Sequence, residues 1–252
     1  MTRFIVCILL TLMMATPVMA EGQPELLVAT EGAYPPFNYI DEEGQPAGFD
    51  VDIARAICDI MNRDCRIVTA PWEQLLPRLA DDEFDMVVAS VAKTEERDRI
   101  VDFTIPYYRS RSNFVARTGR FPDASRKTFS GKIIVAQRGT VQAEYIRKNY
   151  PESELVTADS TKAAFKMLVD GKADVMLSDS LTIYDFLQTP EGRDFDYTGA
   201  ALPADNVSSH SHIAVNEGDD KLRKEINRAI RLLKAEGLYD RINKRYFPFS
   251  IY

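Results

Sequence analysis

Histidine, cysteine and tryptophan are scarce in this chain, which has two, three and one of them among its 252 residues. The two histidines, His210 and His212, alternate along a predicted strand, and no cysteine lies near them in sequence. This is not the ligand spacing of a metal site. A G-x-S-x-G elbow, an H-E-x-x-H helix and a P-loop lysine are also absent. The sequence therefore predicts no metal, no cofactor and no catalytic activity.

Long basic runs and long apolar runs are missing as well. The formal charge is −7, and acidic and basic residues are well mixed along the chain. Nothing in that distribution would track a phosphate backbone. After residue 20 no stretch approaches the roughly 20 apolar residues that a membrane-spanning helix needs. We therefore predict no nucleic-acid partner and no membrane span in the body of the chain.

Residues 1–20 have the pattern of a secretion signal. Arg3 supplies a positive charge, Phe4 to Met14 form an apolar run, and Val18 to Ala20 offer residues that a signal peptidase accepts. A membrane anchor is the alternative, but the run is too short to span a bilayer core of roughly 30 Å. Cys7 lacks the small preceding residues of a lipoprotein site. We predict cleavage at the end of this segment and export to the periplasm.

The remaining chain of about 232 residues is long enough for one large domain or for two lobes with separate cores. Its two cysteines, Cys58 and Cys65, are an even pair in an exported chain. Such a pair favours a disulfide that closes a small loop. Two free, buried thiols are the alternative.

Hydrophobic periodicity predicts two α/β units, in each of which strands and helices alternate as they do in a parallel sheet covered by helices. Asp50 stands at the start of the first helical pattern and is interpreted as its N-cap. Extended segments at 113–117 and 211–216 are placed to connect the two units. Ligands of such sheets bind at the carboxyl ends of strands, so we expect a cleft there. The predicted elements, in order, are a strand at 25–30, a helix at 50–61, a strand at 67–69, a helix at 72–80, a strand at 86–90, a strand at 132–136, a helix at 141–149, a strand at 154–156, a helix at 161–170, a strand at 173–177 and a helical stretch at 219–246 divided at Gly237.

Polar residues follow three of these strands. Arg97 comes shortly after the strand at 86–90, and its guanidinium can pair with a carboxylate through two parallel bonds. Alternatively, this stretch is a surface helix start capped by Thr94. Asp179 is placed to meet a positive ligand group or to cap the next helix. Gly139 and Thr140 form a strand-to-helix turn, whose N–H groups can hold an anion.

Two aromatic residues are further candidates for ligand contact. Trp72 begins a predicted helix, and Tyr34 lies in a proline-containing loop. Their ring faces could stack on an aliphatic stem or a guanidinium of a ligand. Burial in a lobe core is the more common fate of an aromatic side chain and is the alternative.

The chain after residue 20 resembles the family-3 extracellular solute-binding proteins, the amino-acid receptors of ABC importers, and most of all their lysine/arginine/ornithine- and histidine-binding members. The resemblance covers nearly the whole chain, and its motifs follow the family's order. It implies a two-lobed, type II periplasmic-binding-protein fold with two hinge strands, and a disulfide between Cys58 and Cys65. The motifs are ATEGAYPPFNYIDEEGQPAGFDVDIARAIC, VVASVAKTEERDRIVDFTIPYY, QRGT, GKADVMLSD and LKAEGLYDRINKRYF.

The resemblance also implies roles for the main-chain end of an amino-acid ligand. Arg97 would pair with its α-carboxylate, helped by the N–H groups of Ala92 and Thr140. Asp179 would bind its α-ammonium, with Ser90 as a second acceptor.

The ligand's side chain would meet three further residues. Tyr34 and Trp72 would enclose it, and Glu31 would receive a distal cation. Lys93 departs from the family, because that position is commonly apolar. A lysine turned to solvent leaves Glu31 to select a basic ligand, whereas a lysine in the cleft would favour an acidic or amide ligand.

As a member of this family the chain would be divided into a signal peptide at 1–20, one lobe formed by 21–113 and 211–252, and a second lobe at 114–210. We expect a monomer that delivers its amino acid to the membrane permease of an ABC transporter. One alternative is an enzyme resembling cyclohexadienyl dehydratases, for which Glu31 is the candidate general acid. Another is a ligand-sensing partner of a chemoreceptor or sensor kinase.

Overall fold

The fold is described by a computed structural model that covers residues 24–203 and 210–252, so the predicted signal peptide lies outside the described residues. The strands within that range are β1 (Leu26–Thr30), β2 (Ala33–Tyr34), β3 (Asn38–Ile40), β4 (Pro46–Ala47), β5 (Cys65–Thr69), β6 (Met86–Ala92), β7 (Val101–Phe103), β8 (Tyr108–Arg109), β9 (Ser112–Arg117), β10 (Ile133–Gln137), β11 (Glu154–Ala158), β12 (Val175–Asp179), β13 (Phe195–Thr198) and β14 (His210–Asn216). The helices there are α1 (Phe49–Met61), α2 (Trp72–Ala80), α3 (Arg126–Phe129), α4 (Val141–Asn149), α5 (Thr161–Val169), α6 (Ser180–Leu187), α7 (Asp220–Ala235) and α8 (Leu238–Tyr246).

The molecule contains two larger sheets. In each of them the strands are parallel toward one edge of the sheet and antiparallel toward the other. In the first sheet the strand order is β5–β1–β6–β14–β7, and β8 pairs with β14. β1 runs parallel to β5 and β6, whereas β14 runs antiparallel to its neighbours. In the second sheet the order is β11–β10–β12–β9–β13, with β10 parallel to β11 and β12, and β9 antiparallel to β12 and β13. The predicted two-unit α/β fold is confirmed.

Helices cover both faces of the first sheet, which explains why its strands are apolar on both sides. Val28 packs in a core with α1, α7 and α8, and the next residue, Ala29, packs in a separate core with α2. The second sheet likewise separates one core containing Phe129 and Ile146 from another containing Phe165. Each sheet therefore has its own pair of cores, as two lobes require.

The start of α1 differs from the prediction that Asp50 caps it. The N-cap position is Gly48, whose φ is 116° and whose Cβ, if it had one, would lie 2.4 Å from the carbonyl oxygen of Phe37. Only glycine fits there. Asp50 is already inside the helix, and its side chain points into the molecule, where none of it is exposed.

The end of α1 is joined covalently to the first sheet. Cys58 in the last turns of the helix is bonded to Cys65 at the start of β5. The predicted disulfide is confirmed, and the free-thiol alternative is wrong.

The chain crosses between the two sheets beside β9 and β14. The first crossing is the short segment between β8 and β9, and the second lies between β13 and β14, where residues 204–209 are outside the described range. The predicted lobe boundaries at 113 and 210 stay a prediction. Over the described residues, no helix combines the length and apolar character needed to cross a membrane.

Candidate functional site

One cavity lies where the carboxyl ends of the parallel strands of both sheets meet. Glu31 follows β1, Thr140 follows β10 by a short turn, and Asp179 ends β12. The structure brings all the sequence-predicted site residues to the wall of this cavity: Glu31, Tyr34, Trp72, Ser90, Ala92, Arg97, Thr140 and Asp179.

Arg97 reaches the cavity from a single helical turn after β6. Its Nη1 donates to the carbonyl of Ala92 at 2.8 Å, and its Nη2 donates across the cleft to the carbonyl of Gly139 at 2.9 Å. Thr94 does act locally as expected, since its hydroxyl accepts from the Arg97 N–H at 3.2 Å. Burial lowers the pKa of Arg97 to about 10, so the side chain stays a cation at neutral pH. Two carbonyls thus fix a partly desolvated cation at the cavity wall.

Thr140 places a helix N-terminus beside this cation. Its hydroxyl accepts from the N–H of Ala143 at 3.2 Å and donates to the carbonyl of Gln137 at 2.7 Å. It is therefore the N-cap of α4. The positive end of the helix dipole and Arg97 together make this part of the cavity favourable for an anion.

Asp179 lies in the second lobe and is buried. Its Oδ1 accepts from the Ser110 hydroxyl at 2.7 Å and from the N–H of Leu181 at 2.8 Å, so it also caps α6. Burial raises its pKa to about 6, although these hydrogen bonds work in the opposite direction. A cation that entered the cavity would lower this pKa and stabilise the carboxylate.

Glu31 presents a second carboxylate from the first lobe. Its Oε1 accepts from the Gln137 amide across the cleft at 2.6 Å, and the oxygen of that amide accepts from the Thr161 hydroxyl at 2.7 Å. Burial raises the pKa of Glu31 to about 7. Its partner Gln137 is uncharged, so the carboxylate is desolvated without being neutralised.

The two predicted aromatic residues have different surroundings. Trp72 lies against Arg97, whose Cζ is 5.2 Å from the ring centroid, and its Nε1 donates to the Gly139 carbonyl at 3.2 Å. Tyr34 stacks on Phe37, with ring centroids 5.5 Å apart. Both rings also line the cavity, so neither is only a core residue.

Lys93 does not line the cavity. Its Nζ forms an ion pair with Asp98 at 2.7 Å, and nearly half of its side chain is exposed. Of the two orientations considered from the sequence, the structure shows the one turned to solvent.

Several cavity residues were missed by the sequence analysis. They are Tyr108, Ser110, Gln137, Gln142, Thr161 and His210, among others. Gln137 is the last residue of β10, so the strand-end rule that selected Asp179 would also have selected it. The strand-end rule could not have selected Tyr108 and Ser110, because the segment that crosses between the two sheets brings them to the cavity.

Two α/β lobes around a cavity with one anion-favouring end, one buried carboxylate and one partly buried carboxylate fit the class of bacterial solute-binding proteins. The family model of bacterial extracellular solute-binding proteins, family 3, matches residues 26–249. The chain belongs to that family.

Relatives and solved structures agree with this assignment. The L-arginine-binding protein of Pseudomonas aeruginosa is 34% identical over 243 residues, covering 95% of this chain and 93% of the relative. ABC transporter arginine-binding protein 1 of Escherichia coli is 29% identical over 240 residues, covering 91% and 93%. The solved structure of an ancestral arginine-binding protein bound to arginine has a TM-score of 0.83 and 27% identity, covering 89% of this chain and 99% of that chain. These proteins are named for binding and not for catalysis.

Proposed function

We propose that the protein binds an L-amino acid with a positively charged side chain between its lobes and delivers it to an ABC importer. The observation that carries the proposal is the charge pattern of one cavity. Arg97 and the Thr140 helix end favour an anion, whereas the buried Asp179 and the partly buried Glu31 are carboxylates without a charged partner in the geometry described above. A basic amino acid has one anionic and two cationic groups, which is the complementary pattern.

The main-chain groups of the ligand are assigned to the side of the cavity where Arg97 and Asp179 lie. The guanidinium of Arg97 retains N–H groups beyond those used on Ala92 and Gly139, because it carries five donors. It receives the α-carboxylate together with the N–H groups of Ala92 and Thr140. Asp179 and Ser90 accept from the α-ammonium.

The side chain is assigned to Glu31. A distal ammonium or guanidinium there neutralises a partly buried carboxylate whose hydrogen-bond partner is an uncharged amide. Lys93 pairs with Asp98 away from the cavity, which removes the main reason to expect an acidic or amide ligand. Tyr34 and Trp72 cover the aliphatic stem. The arginine-binding names of the relatives support the same choice.

Export and delivery complete the proposal. Residues 1–20 act as a signal peptide, the mature chain works as a periplasmic monomer, and the lobes divide at about residues 113 and 210. The ligand is released to the membrane permease of the importer.

A ligand screen on refolded, ligand-free protein tests this function. A ligand at a hundred times its Kd adds about 2.7 kcal/mol of stability, which raises Tm visibly. We expect arginine, lysine, ornithine or histidine to raise Tm and acidic amino acids to leave it unchanged. Stabilisation by acidic ligands alone would refute the selectivity. Turnover of prephenate or arogenate would instead support the alternative that the protein is an enzyme.

A further inference from the structure

Asp50 is a carboxylate buried behind the cavity wall, and no part of it is exposed. It accepts three hydrogen bonds: from the Tyr107 hydroxyl at 2.6 Å, from the Asn38 amide at 2.8 Å and from the Ser90 hydroxyl at 2.9 Å. Burying an ion has a large cost unless its hydrogen-bonding capacity is satisfied. Three donors from separate parts of the chain converge on this one carboxylate, so its role extends beyond the packing of α1.

Ser90 has an unusual backbone for a residue inside a strand. Its φ is 58°, in the left-handed region, where a non-glycine residue is held only by its surroundings. The ladder with β14 is irregular at this point, since Val87 faces Ala214 while Val91 already faces His212. Such a bulge redirects a residue out of the regular sheet, often next to a functional site.

The network of Asp50 maintains this backbone conformation. The Ser90 N–H donates to the Tyr107 hydroxyl at 3.0 Å, and that hydroxyl in turn donates to Asp50. The Ser90 hydroxyl donates to the same carboxylate. Both donors of Ser90 therefore point inward, and its hydroxyl oxygen is left with acceptor capacity toward the cavity.

The same carboxylate supports the other end of the cavity. The Asn38 amide donates to Asp50, and its oxygen accepts from the N–H of Gly32 at 2.9 Å. Gly32 immediately follows Glu31, the residue assigned to the distal cation. One buried group thus connects the two places where a ligand cation is expected.

We propose that Asp50 is a positioning residue that orients Ser90 to accept a hydrogen bond from the ligand's α-ammonium. This inference rests on the proposed function, because it assigns the support of that site. The negative charge of Asp50 also acts through space on the cavity, since it contributes to raising the pKa of Asp179. A ligand cation between Asp179 and Ser90 reduces the electrostatic repulsion between the carboxylates of Asp50 and Asp179.

The experiment compares two ligands that differ only in the α-ammonium: L-arginine and 5-guanidinopentanoate. In Asp50→Asn one acceptor becomes a donor, so Ser90 and Tyr107 can no longer both be satisfied. We expect the Kd for arginine to rise about tenfold, the size expected for losing a hydrogen bond to a charged group. The Kd for 5-guanidinopentanoate should rise by a clearly smaller factor, because this ligand depends on Asp50 only through the link from Asn38 to the Gly32 backbone beside Glu31. Isothermal titration calorimetry measures both.

Asp52→Asn is the matched control, because Asp52 lies on the same helix but bonds Tyr246 and Arg245 away from the cavity. It should change neither Kd. Tyr107→Phe removes only the hydroxyl and should give a smaller loss with the same ligand selectivity, even if Asp50→Asn does not fold. If Asp50→Asn lost affinity equally for both ligands, or lost none for arginine, the positioning role of Asp50 would be refuted and the proposed function would stand. Failure of the wild-type protein to bind any basic amino acid would overturn the proposed function and this inference with it.

Discussion

Glu31, Asp50 and Asp179 are carboxylates that the fold removes from water near one cavity. Burial raises the pKa of Glu31 to about 7 and those of Asp50 and Asp179 to about 6. Each would be stabilised as an anion by a nearby cation, and a bound basic amino acid supplies two. At the scale of single residues, the binding energy therefore depends on groups that are held in an unfavourable state until the ligand arrives.

The pKa of Glu31 predicts how ligand affinity depends on pH. A distal cation favours the ionised carboxylate, so the pKa of Glu31 is lower in the complex than in the free protein. The contribution of this residue is therefore fully present above pH 7 and is lost as pH falls through the free protein's pKa of about 7. We expect the Kd for arginine to rise about tenfold between pH 8 and pH 6, with Asp179 adding a smaller effect at the lower end. Calorimetric titrations across this range measure it.

Glu31→Gln is the control for the pH profile. The amide does not titrate, so its arginine affinity should be lower than wild type at pH 8 and should change little down to pH 6.5. A wild-type profile that is flat over the same range would contradict the assignment of Glu31 to the distal cation.

Arg97→Gln tests the anion-binding end of the cavity. The variant removes the cation assigned to the α-carboxylate, and loss of one partner of a buried charged pair weakens binding by about 3 kcal/mol, or more than a hundredfold in Kd. Arg97→Lys should retain part of the affinity, because it keeps the charge but not the planar fork. Circular dichroism and Tm should be close to wild type for both. Wild-type affinity in Arg97→Gln would refute the clamp.

At the scale of secondary structure, periodicity in the sequence predicted the order of the elements well. The helix at 141–149 is α4, and strand segments such as 25–30 and 86–90 overlap β1 and β6. These elements are buried on a clear face or on both faces, so local sequence and final packing agree. The same strand ends led to Arg97, Thr140 and Asp179, all of which line the cavity.

Other features could not be read locally, because they depend on partners far away in the chain. Asp50 resembles a helix cap in sequence, yet its partners Tyr107 and Ser90 lie on separate strands or loops. Ser110 reaches Asp179 only because the crossing segment passes beside β12. The antiparallel addition of β14 likewise requires the chain to return to the first sheet after the second is complete.

The disulfide between α1 and β5 should contribute to stability and not to binding. Cys58 and Cys65 are separated by seven positions, and a loop of that size corresponds to about 2.5 kcal/mol in the chain-entropy account. We expect the double variant Cys58→Ser/Cys65→Ser to lower the free energy of unfolding by about that amount, measured by urea denaturation. Its Kd for arginine should be unchanged, because neither cysteine lines the cavity. A large loss of affinity would show that this loop supports the site.

At the scale of the whole molecule, polar contacts around the cavity join the two lobes, and Leu181 of α6 also packs in a core of the first lobe. The carbonyl of Gly139 in the second lobe accepts from both Arg97 and Trp72 of the first lobe. Arg138, next to it, pairs with Glu73 across the cleft at 3.6 Å and with Asp159 of its own lobe at 2.8 Å. Hinge closure is the motion expected of this family, and we predict that these contacts form as the cavity closes.

Gly139 is a position at which an added methyl group would contact the opposite lobe. Its φ is 70°, and a Cβ at this position would lie 3.4 Å from Trp72 Nε1 and 3.4 Å from Glu73 Cγ. These distances are ordinary van der Waals contacts, so Gly139→Ala acts through its strained backbone. Displacement of the Gly139 carbonyl, which accepts from Arg97 and Trp72, should raise the Kd for arginine about tenfold, the effect of losing one or two hydrogen bonds of about 1 kcal/mol each. Trp72 is the single tryptophan of the chain, so its fluorescence reports the approach of the lobes directly.

Gly171→Ala is the control for the loss of stability that a strained backbone causes. Gly171 has nearly the same φ, 72°, but none of the described residues lies within 4 Å of its Cβ position. Both variants carry the strain of a left-handed alanine, about 1 kcal/mol, and should lose similar stability. Only Gly139→Ala should lose arginine affinity and reduce the ligand-induced change in Trp72 fluorescence. Equal affinities for the two variants would mean that closure does not depend on the contact between Gly139 and Trp72.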